Sequence, residues 1–312
     1  MYDAISIGGA TKDIFLILPT KYIKSIRSIY IGVPEDRKID IEGIKEYTGG
    51  SATNVSATLS AFGKKVMVVT RIGNDDYGRF IKEDLKKRNI ALKAFKSEET
   101  AFSIILVIGN EMSILTYRKA ESSWNLSEND IKVRTKSVYL GPLPKDSNST
   151  VETAISIAKK NNALLVWNPG SSQIEAGLKA NLEYVKSASI ICMNDYEAKR
   201  FVGKKTPIEN AIALSKYAQI AIVTLGKKGS IIAANNKLYI AGTYPAQPIN
   251  IVGAGDAFCS GFMNAILDKR PIEEAISLGS YNAASVVSHH GAKEGIVNEY
   301  PKRLVNIKVR TI

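Results

Sequence analysis

Short apolar segments alternate with amphipathic segments from about residue 122 onward, and this alternation constrains the fold more than any other feature. The short runs predict buried β-strands, whereas apolar residues three to four positions apart, as in Val151–Lys160, predict an α-helix. Strands that alternate with helices of this length indicate βαβ units, and therefore a mostly parallel sheet. The predicted strands are Ser137–Leu140, Ala163–Trp167, Ser189–Met193, Ile220–Thr224 and Ser230–Ala233.

Two stretches in the first half of the chain differ from this pattern. Residues 14–48 place isoleucines among polar residues with frequent alternation, which predicts short strands with one solvated face. Residues 101–120 hold two apolar runs around Gly109, which predicts a β-hairpin. Between them, Ser51 is predicted to cap a helix that Gly63 ends. Because both stretches flank this helix, we expect them to form a β-rich lid over one α/β core. That core comprises residues 1–13, 49–100 and 121–312.

The composition is that of a globular protein. The chain has 312 residues, of which 45% are hydrophobic, so it can bury a core without disulfides or metals. Its two cysteines, Cys192 and Cys259, lie in apolar or small-residue stretches, which predicts free buried thiols and a reducing, cytoplasmic location. No apolar run approaches the ~20 residues of a membrane span, and the first residues lack the basic start of a secretory signal. A membrane partner is therefore not expected.

The charge balance favours anionic partners. Lysine and arginine total 42 and acidic residues 30, which leaves a net charge of +12. The field of such a charge attracts nucleic acids, membrane surfaces or phosphorylated small molecules. The basic residues are scattered, as at Lys64-Lys65 and Lys159-Lys160, and no aromatic residues are interleaved with them. This pattern disfavours nucleic acid as the main partner, and most of these lysines are expected on solvated helix faces.

The segment Gly253-Ala254-Gly255-Asp256 carries the strongest chemical signal. Two glycines before a carboxylate at a predicted helix start let the backbone come close to a ligand, and the exposed N–H groups there bind anions. Asp256 beside such a site can act as general base for a hydroxyl that attacks a phosphoryl group. The alternative is an aspartate in the first helical turn that only the helix dipole stabilises.

Three further segments carry weaker signals. The run Gly49–Asn54 suggests close approach of a polar ligand, although a turn with a helix cap has the same pattern. Asn194 and Glu197 follow a predicted strand, where they can hold a hydrated Mg²⁺ near phosphates or simply form an N-cap. The loop Thr224–Gly229 suits nucleotide phosphates, or a hairpin turn.

These four segments, in this order, resemble the ribokinase-like sugar and nucleoside kinases, also called the PfkB family. The resemblance extends over nearly the whole chain, since the N-terminal signature of the family corresponds to residues 49–73 and its C-terminal signature to residues 250–263. It implies a three-layer α/β/α core with a mostly parallel central sheet and a small β-sheet lid over the substrate. It also implies a homodimer that pairs through the lid.

The resemblance further implies the role of each site residue. Asp256 is the catalytic base, and Gly253, Ala254 and Gly255 form an anion hole around the transferred phosphoryl group. The implied substrate-binding residues are Asp13, Gly49, Gly50 and Asn54. The residues implied at the ATP site are Asn194, Glu197, Thr224, Gly226, Gly229 and Asn282, of which Asn194 and Glu197 hold Mg²⁺ through water.

The activity implied by the resemblance is transfer of the γ-phosphate of ATP, with Mg²⁺, to a primary hydroxyl of a sugar such as ribose, or of a nucleoside. Nucleoside, sugar-acid and inositol kinases of the same family are alternatives, because the motifs do not specify the acceptor. A sugar- or nucleotide-binding sensor on the same fold is the non-enzyme alternative, which the intact Asp256 disfavours. Asn250 stands where many members have the aspartate of a monovalent-cation site, which argues against activation by K⁺.

Overall fold

The predicted alternation of strands and helices is present in a computed structural model, which describes residues 1–25, 29–31, 36, 38–109, 111–118 and 124–312. The strands are β1 (Ala4–Ile7), β2 (Thr11–Ile17), β3 (Ile23–Ser25), β4 (Ile29–Ile31), β5 (Gly43–Gly49), β6 (Val66–Ile72), β7 (Ala91–Lys96), β8 (Phe102–Ile108), β9 (Glu111–Tyr117), β10 (Ser137–Leu140), β11 (Leu164–Trp167), β12 (Ile190–Asn194), β13 (Ile220–Thr224), β14 (Ser230–Ala234), β15 (Lys237–Ala241) and β16 (Ile307–Thr311). The α-helices are α1 (Ser51–Ala61), α2 (Asp76–Lys87), α3 (Asn148–Asn161), α4 (Ser171–Ala180), α5 (Leu182–Ser187), α6 (Asp195–Val202), α7 (Pro207–Ser215), α8 (Ala254–Leu267) and α9 (Ile272–Val287).

A large sheet forms the centre of the molecule. Within the described residues it has ten strands, in the order β16-β15-β14-β13-β12-β11-β10-β1-β6-β7. The pairs from β13 to β7 are all parallel, whereas β14, β15 and β16 extend one edge in antiparallel orientation. The predicted strands of this sheet agree with the structure within one residue at each end, and the mostly parallel sheet is confirmed.

Helices cover both faces of the large sheet. On one face α3, α6 and α7 pack on strand residues such as Ile5 and Val138, and on the other α1, α8 and α9 pack on residues such as Tyr139 and Val166. Because successive strand residues point to opposite faces, the central strands are buried on both sides. The three-layer α/β/α architecture is therefore confirmed. No helix within the described ranges combines the length and the apolar character needed to cross a bilayer.

A second, smaller sheet is formed by β5, β2, β8 and β9 in that order, and we call it the lid sheet. The strands β8 and β9 form the predicted hairpin, with Gly109 in the turn at φ 57°. The sheet extends beyond the predicted stretch 14–48, because β2 begins at Thr11 and β5 ends at Gly49. Parts of the two stretches lie outside the described residues, namely 26–28, 32–35, 37, 110 and 119–120.

The start of helix α1 differs from the prediction. Ser51 is not the cap but the first helical residue, and Gly50 occupies the N-cap position with φ 93°. A Cβ atom on Gly50 would come within 2.2 Å of the carbonyl oxygen of Gly9, so this tight turn requires glycine rather than a capping side chain. The other end is as predicted, since Gly63 follows the helix with φ 74°.

Candidate active site

The N-terminus of α8 forms an open, positively polarised cradle. Gly253 is the N-cap in the left-handed conformation, with φ 80°, and a Cβ there would come 2.5 Å from the Cβ of Ala292. The N–H groups of Gly255 and Asp256 lie in the first turn, where a helix offers them no carbonyl partner. A Cβ on Gly255 would meet no heavy atom within 4 Å, so the space beside this residue is open. This is the geometry of a helix start that suits an anion, and the anion hole of Gly253, Ala254 and Gly255 stays a prediction.

The carboxylate of Asp256 stands beside this cradle and is held by neutral donors. The Nδ2 of Asn54 donates to its Oδ2 at 2.8 Å, and the hydroxyl of Tyr139 donates a long bond to its Oδ1 at 3.5 Å. Burial raises the pKa of Asp256, while the bond from Asn54 and the charge of Lys293 oppose the rise. A carboxylate with a raised pKa is a stronger base, which suits a group that accepts a proton from a hydroxyl.

Asn54 connects the base to the space where a ligand would lie. Its side chain is buried in α1, and although its Nδ2 binds Asp256, its Oδ1 has no hydrogen-bond partner among the described residues. An unpartnered buried acceptor costs free energy unless a ligand supplies the donor. A hydroxyl group of an acceptor molecule is such a donor, so this position fits the predicted role of Asn54 in substrate binding.

Asp13 lies on the lid sheet, in β2, and is 96% buried. The hydroxyl of Thr11 donates to its Oδ1 at 2.9 Å. Burial raises the pKa of Asp13, against the effects of the Thr11 bond and of the charge of Lys293. The neighbouring strand passes so close that a Cβ on Gly49 would lie 2.0 Å from Asp13 Oδ2. The glycine predicted as a substrate residue thus makes room for the carboxylate of Asp13.

Asp13, Asn54 and Asp256 come from three different elements, yet the fold brings them into one electrostatic neighbourhood. The negative charge of Asp13 contributes to the raised pKa of Asp256, and Asn54 binds Asp256 directly. Chain positions more than 200 residues apart therefore face the same space. That arrangement allows one molecule to contact the lid sheet, α1 and the base at the same time.

Lys293 is a site residue that the sequence analysis missed. Its side chain is buried after α9, its Nζ donates to Thr48 Oγ1 at 2.6 Å, and Asp84 Oδ2 lies 3.8 Å away. Burial lowers the pKa of Lys293 to about 8, although the charges of Asp84 and Asp13 oppose this. A lysine in a loop without a motif gives no signal in one sequence, and only the tertiary structure reveals its burial between carboxylates.

Asn194 and Glu197 form an N-cap at the start of α6, which the sequence analysis gave as the alternative to a metal site. Asn194 Oδ1 accepts from the backbone N–H of Glu197 at 2.9 Å, and Glu197 Oε2 accepts from the N–H of Asn194 at 2.9 Å. This capping box uses one of the two lone pairs of Asn194 Oδ1, so the N-cap is present and the metal role of Asn194 stays a prediction. The capping box does not use the Oε1 of Glu197, and burial together with the charge of Asp256 raises the pKa of Glu197.

No group of three or more histidine, cysteine, aspartate or glutamate side chains is arranged to hold a metal ion in the part of the chain that the structure describes. Mg²⁺ is commonly bound by one or two carboxylates, several waters and the phosphates of a nucleotide. Glu197 fits that pattern because it lies within the electrostatic reach of Asp256. The residues present therefore suit a cation that arrives with a nucleotide rather than one held by the protein alone.

The loop after β13 provides a second open backbone surface. Thr224 ends β13 directly beside Asn194, which ends the neighbouring parallel strand β12, so both residues lie at the carboxyl ends of these strands. Gly226 has φ 56° and a Cβ there would meet nothing within 4 Å, whereas a Cβ on Gly229 would lie 1.9 Å from the carbonyl oxygen of Ala241. Ligands of parallel α/β sheets bind beyond the carboxyl ends of the strands, so the loop fits the predicted nucleotide contacts.

Asn282 does not have the predicted position beside a ligand. It is fully buried in α9, and its Nδ2 donates to the carbonyl oxygen of Ala257 at 2.8 Å and to Thr58 Oγ1 at 3.2 Å. Its Oδ1 accepts from the N–H of Val297 at 3.1 Å. These bonds use its amide to tie α9 to α8 and α1, so we assign Asn282 a structural role instead of the predicted contact with adenine.

Asn250 links the segment that precedes α8 to the loop after α9. Its Nδ2 donates to the carbonyl oxygen of His289, and its Oδ1 accepts from the N–H of Val252 at 2.7 Å. The side chain is buried and neutral. The amide therefore connects two backbone segments directly, at the position where the resemblance implied a cation site in other proteins.

Comparisons with known proteins show which family and fold this chain is similar to. The profile described as "pfkB family carbohydrate kinase" matches residues 23–298. The ATP-dependent 6-phosphofructokinase of Thermoanaerobacterium thermosaccharolyticum is 30% identical over 263 residues, which cover 80% of this chain and 81% of that protein. The 5-dehydro-2-deoxygluconokinase of Clostridium botulinum is 27% identical over 287 residues, which cover 83% and 85%. The crystal structure of ribokinase from Thermotoga maritima superposes with a TM-score of 0.76 at 22% identity, over 95% of this chain and 96% of that one.

Proposed function

We propose that this chain, which belongs to the pfkB family of carbohydrate kinases, transfers the γ-phosphate of ATP to a primary hydroxyl of a sugar. The predicted family, the ribokinase-like fold and the enzyme class of a carbohydrate kinase are confirmed. The identity of the acceptor and the roles of individual residues are our proposal. The observation that supports it most is the position of Asp256, whose carboxylate stands beside the open first turn of α8 and is bound by Asn54.

In this mechanism, the residues of the chain position the acceptor and remove its proton. Asp13 and Asn54 bind hydroxyl groups of the acceptor, and Asp256 accepts the proton of the attacking hydroxyl at its carboxylate. Asn54 and Tyr139 keep that carboxylate oriented. The N–H groups of Gly255 and Asp256 stabilise negative charge on the transferred group. Bound ATP supplies the phosphoryl group, and its divalent cation neutralises phosphate charge.

The proposed nucleotide site lies at the carboxyl ends of the central strands β12 and β13 of the large sheet. The first turn of α8 offers backbone N–H groups without a helical partner, the space beside Gly226 is open, and the capping bond of Glu197 uses only its Oε2. We assign Gly226 to the phosphates and Glu197 to the hydrated Mg²⁺. The predicted contact of Gly229 is corrected, because its N–H already donates to the carbonyl oxygen of Gly226 and its lack of a Cβ allows the close approach of Ala241. Isothermal titration with ATP and with ATP–Mg²⁺ tests this, and we expect Glu197→Gln to weaken only the Mg²⁺-dependent part of binding.

The experiment that tests the proposed function measures ADP release with ATP and Mg²⁺ over a panel of acceptors. The panel contains ribose, fructose, fructose 6-phosphate, 2-keto-3-deoxygluconate, inositol, adenosine, cytidine and uridine, with a control that lacks acceptor. One acceptor far above the control supports the kinase and identifies whether a sugar, a sugar acid, inositol or a nucleoside is phosphorylated. ATP binding without turnover on an acceptor that also binds would favour the sensor alternative.

We propose that the enzyme does not require K⁺. The amide of Asn250 already donates to the carbonyl oxygen of His289, so the two segments are joined without a cation between them. Replacement of KCl by tetramethylammonium chloride at constant ionic strength should change kcat by less than about twofold, since no charged group at Asn250 needs neutralisation. A larger loss of kcat that K⁺ alone restores would contradict this proposal.

We also propose a homodimer that pairs through the lid sheet. The register of its strands places Ile14, Ile104 and Leu115 in one row, and Ile44 beside Leu16 in the next row of the same face. Ile44 and Leu115 are more than half exposed. A face of this kind costs free energy in water, and a second copy of the same face covers it with matching residues.

The two buried free thiols suit a reducing compartment, so the cytoplasm stays the predicted location.

A further inference from the structure

We propose that the acceptor carries an anionic group, a carboxylate or a phosphate, and that Arg118 binds it on the inner face of the lid sheet. The proposal rests on the proposed function, because it concerns the acceptor side of the same site. It specifies the class of sugar that the motifs leave open. The argument depends on the strand register, on the surroundings of Arg118 and on the way in which Asp13 is already held.

The register of the lid sheet places polar side chains in one row with Asp13. Asp13 in β2 pairs with Ser103 in β8, and Ser103 pairs with Thr116 in β9. Side chains of paired residues project from the same face, and side chains two positions apart along a strand share that face. Arg118 lies two positions beyond Thr116, directly after β9 ends at Tyr117. It therefore belongs to the same face as the row that contains Asp13.

The charge of Arg118 reaches Asp13. The positive charges of Arg118 and Lys293 both lower the pKa of Asp13, against the effect of burial. Arg118 is exposed, and it has no ion-pair partner within the described residues. The nearby Glu99 is bound by the hydroxyl of Tyr117, whose side chain projects from the opposite face. A cation near the acceptor site is thus left without a carboxylate of its own.

Asp13 does not need Arg118 to stay in place. The hydroxyl of Thr11 donates to its Oδ1, and the buried Lys293 lies close enough to stabilise its charge. Arg118 is therefore available for a ligand. A guanidinium group binds carboxylates and phosphates with two parallel N–H···O bonds, which makes it suited to one end of an anionic sugar. The polar row of Asp13, Ser103 and Thr116 then faces the hydroxyl groups between that end and Asp256.

The test compares acceptors that differ only in the anionic group. Fructose 6-phosphate against fructose tests a phosphate, and gluconate against glucitol tests a carboxylate on the same carbon chain. For each pair, kcat/KM is measured with ATP and Mg²⁺ for the wild type, Arg118→Gln, Arg118→Lys and Arg310→Gln. Arg310 is an exposed arginine of β16, at the far edge of the large sheet, so its variant removes the same charge away from the site.

We expect one anionic acceptor to exceed its neutral partner by about 100-fold or more in kcat/KM, since a site built for a charged group discriminates strongly against an analogue that lacks it. Arg118→Gln should lower kcat/KM for that acceptor by about 10–100-fold and change the neutral one by less than twofold. Arg118→Lys should restore part of the loss, and Arg310→Gln should change neither.

Two results would overturn the proposal: equal use of neutral and anionic partners, or an equal loss for both in Arg118→Gln. Calorimetric binding of the same four compounds to the ATP complex of Asp256→Asn gives the same comparison without turnover. Binding of an anionic sugar that depends on Arg118, without phosphorylation by the wild type, would support the anion site and contradict the proposed function. Phosphorylation of a neutral sugar that depends on Asp256 but not on Arg118 would support the proposed function and contradict the anion site.

Discussion

At the scale of single residues, the site depends on a carboxylate whose environment combines burial with neutral hydrogen-bond donors. Asn54 and Tyr139 bind Asp256 without carrying a charge, and Lys293, whose charge acts on this carboxylate, is itself buried. Burial penalises the charged form, so the pKa of Asp256 is raised and its basicity increases. The same carboxylate lies beside unpaired backbone donors, which places a base next to an anion site.

Removal of the base should affect turnover and leave binding intact. In Asp256→Asn we expect kcat to fall by about 10²–10⁴-fold, because the amide cannot accept the proton of the attacking hydroxyl. The Kd of ATP and that of the acceptor should stay within about threefold, since the amide has nearly the size of the carboxylate. Steady-state kinetics and calorimetry measure these two quantities.

The matched control for this variant is Asp268→Asn. Asp268 follows the other end of the same helix and pairs with Lys64 near the surface. Its variant should keep the kcat of the wild type, because this ion pair is remote from the site. A kcat near that of the wild type in Asp256→Asn would remove Asp256 from the mechanism.

Gly49 allows a direct steric test of Asp13. A Cβ at Gly49 would lie 2.0 Å from Asp13 Oδ2, so Gly49→Ala must displace that carboxylate. We expect kcat/KM for the acceptor to fall by about 10–100-fold while the KM of ATP changes little, since a shift of about 1 Å in a positioning group costs this much. Gly43→Ala, in the same strand, is the control, because its Cβ would meet only the flexible tip of Ile17 at 3.3 Å. Equal kinetics in the two variants would argue against Asp13 as a substrate residue.

At the scale of elements, the segment after α9 connects the two halves of the site. The carbonyl oxygen of His289 accepts from Asn250, Ala292 packs against Gly253, and Lys293 binds Thr48 of the lid sheet. A Cβ on Gly291 would meet the ring of Tyr47 at 2.8 Å, so the segment also passes close under β5. Residues 289–293 therefore contact both the anion cradle and the lid sheet within five positions.

The charge of Lys293 should influence the pH dependence of catalysis. Lys293 faces Asp84 of α2, Arg88 directly after that helix, Asp13 of β2 and Asp256 of α8. Its positive charge favours the ionised form of Asp256, so its removal in Lys293→Met should raise the pKa of that base further. The acid limb of kcat/KM should then move to higher pH by about half to one unit.

A pH profile of kcat/KM for the wild type, Lys293→Met and Lys179→Met measures this effect. Lys179 is an exposed lysine of α4, so its variant removes one charge without touching the site. It should reproduce the acid limb of the wild type. An unchanged limb in Lys293→Met would show that the charge of Lys293 is screened from Asp256.

At the scale of the whole molecule, the α/β core covers one face of the lid sheet only in part. Helix α2 packs on this face at Lys12 and Phe102, while Ile44 and Leu115 stay exposed. Leu115 and Ile44 are 56% and 58% exposed on this face, which is unusual for residues of this size in a monomer. The opposite face of the same sheet holds Asp13 and Phe15, both buried against the core. One sheet would thus serve the acceptor on one side and the second subunit on the other.

The dimer should dissociate when a charge enters this face. In Leu115→Asp we expect light scattering after gel filtration to give the mass of one 34.0 kDa chain, whereas the wild type gives about twice that mass. Val309→Asp places the same charge on an exposed apolar residue of β16 and should leave the mass unchanged. A monomeric wild type at micromolar concentration would contradict the proposed dimer.

The sequence by itself determined the layers of the fold and most of the glycine-rich turns. Apolar periodicity depends on local geometry, so the strands β10 and β13 and the hairpin at Gly109 could be predicted without any tertiary information. Gly253 could be predicted because a tight turn before a helix needs glycine. The order of the four segments was specific enough to predict the family, which the profile match over residues 23–298 confirms.

Only the tertiary structure decided which polar groups are already satisfied. Asn282 and Asn194 have the residue types of ligand contacts, but Asn282 is fully bonded inside the fold and Asn194 Oδ1 is used in a capping box. Asn54 Oδ1 is buried and has no partner among the residues that the structure describes, and Lys293 is buried among carboxylates. Hydrogen bonds and desolvation depend on neighbours that are distant in the chain, and one sequence carries no record of these distances.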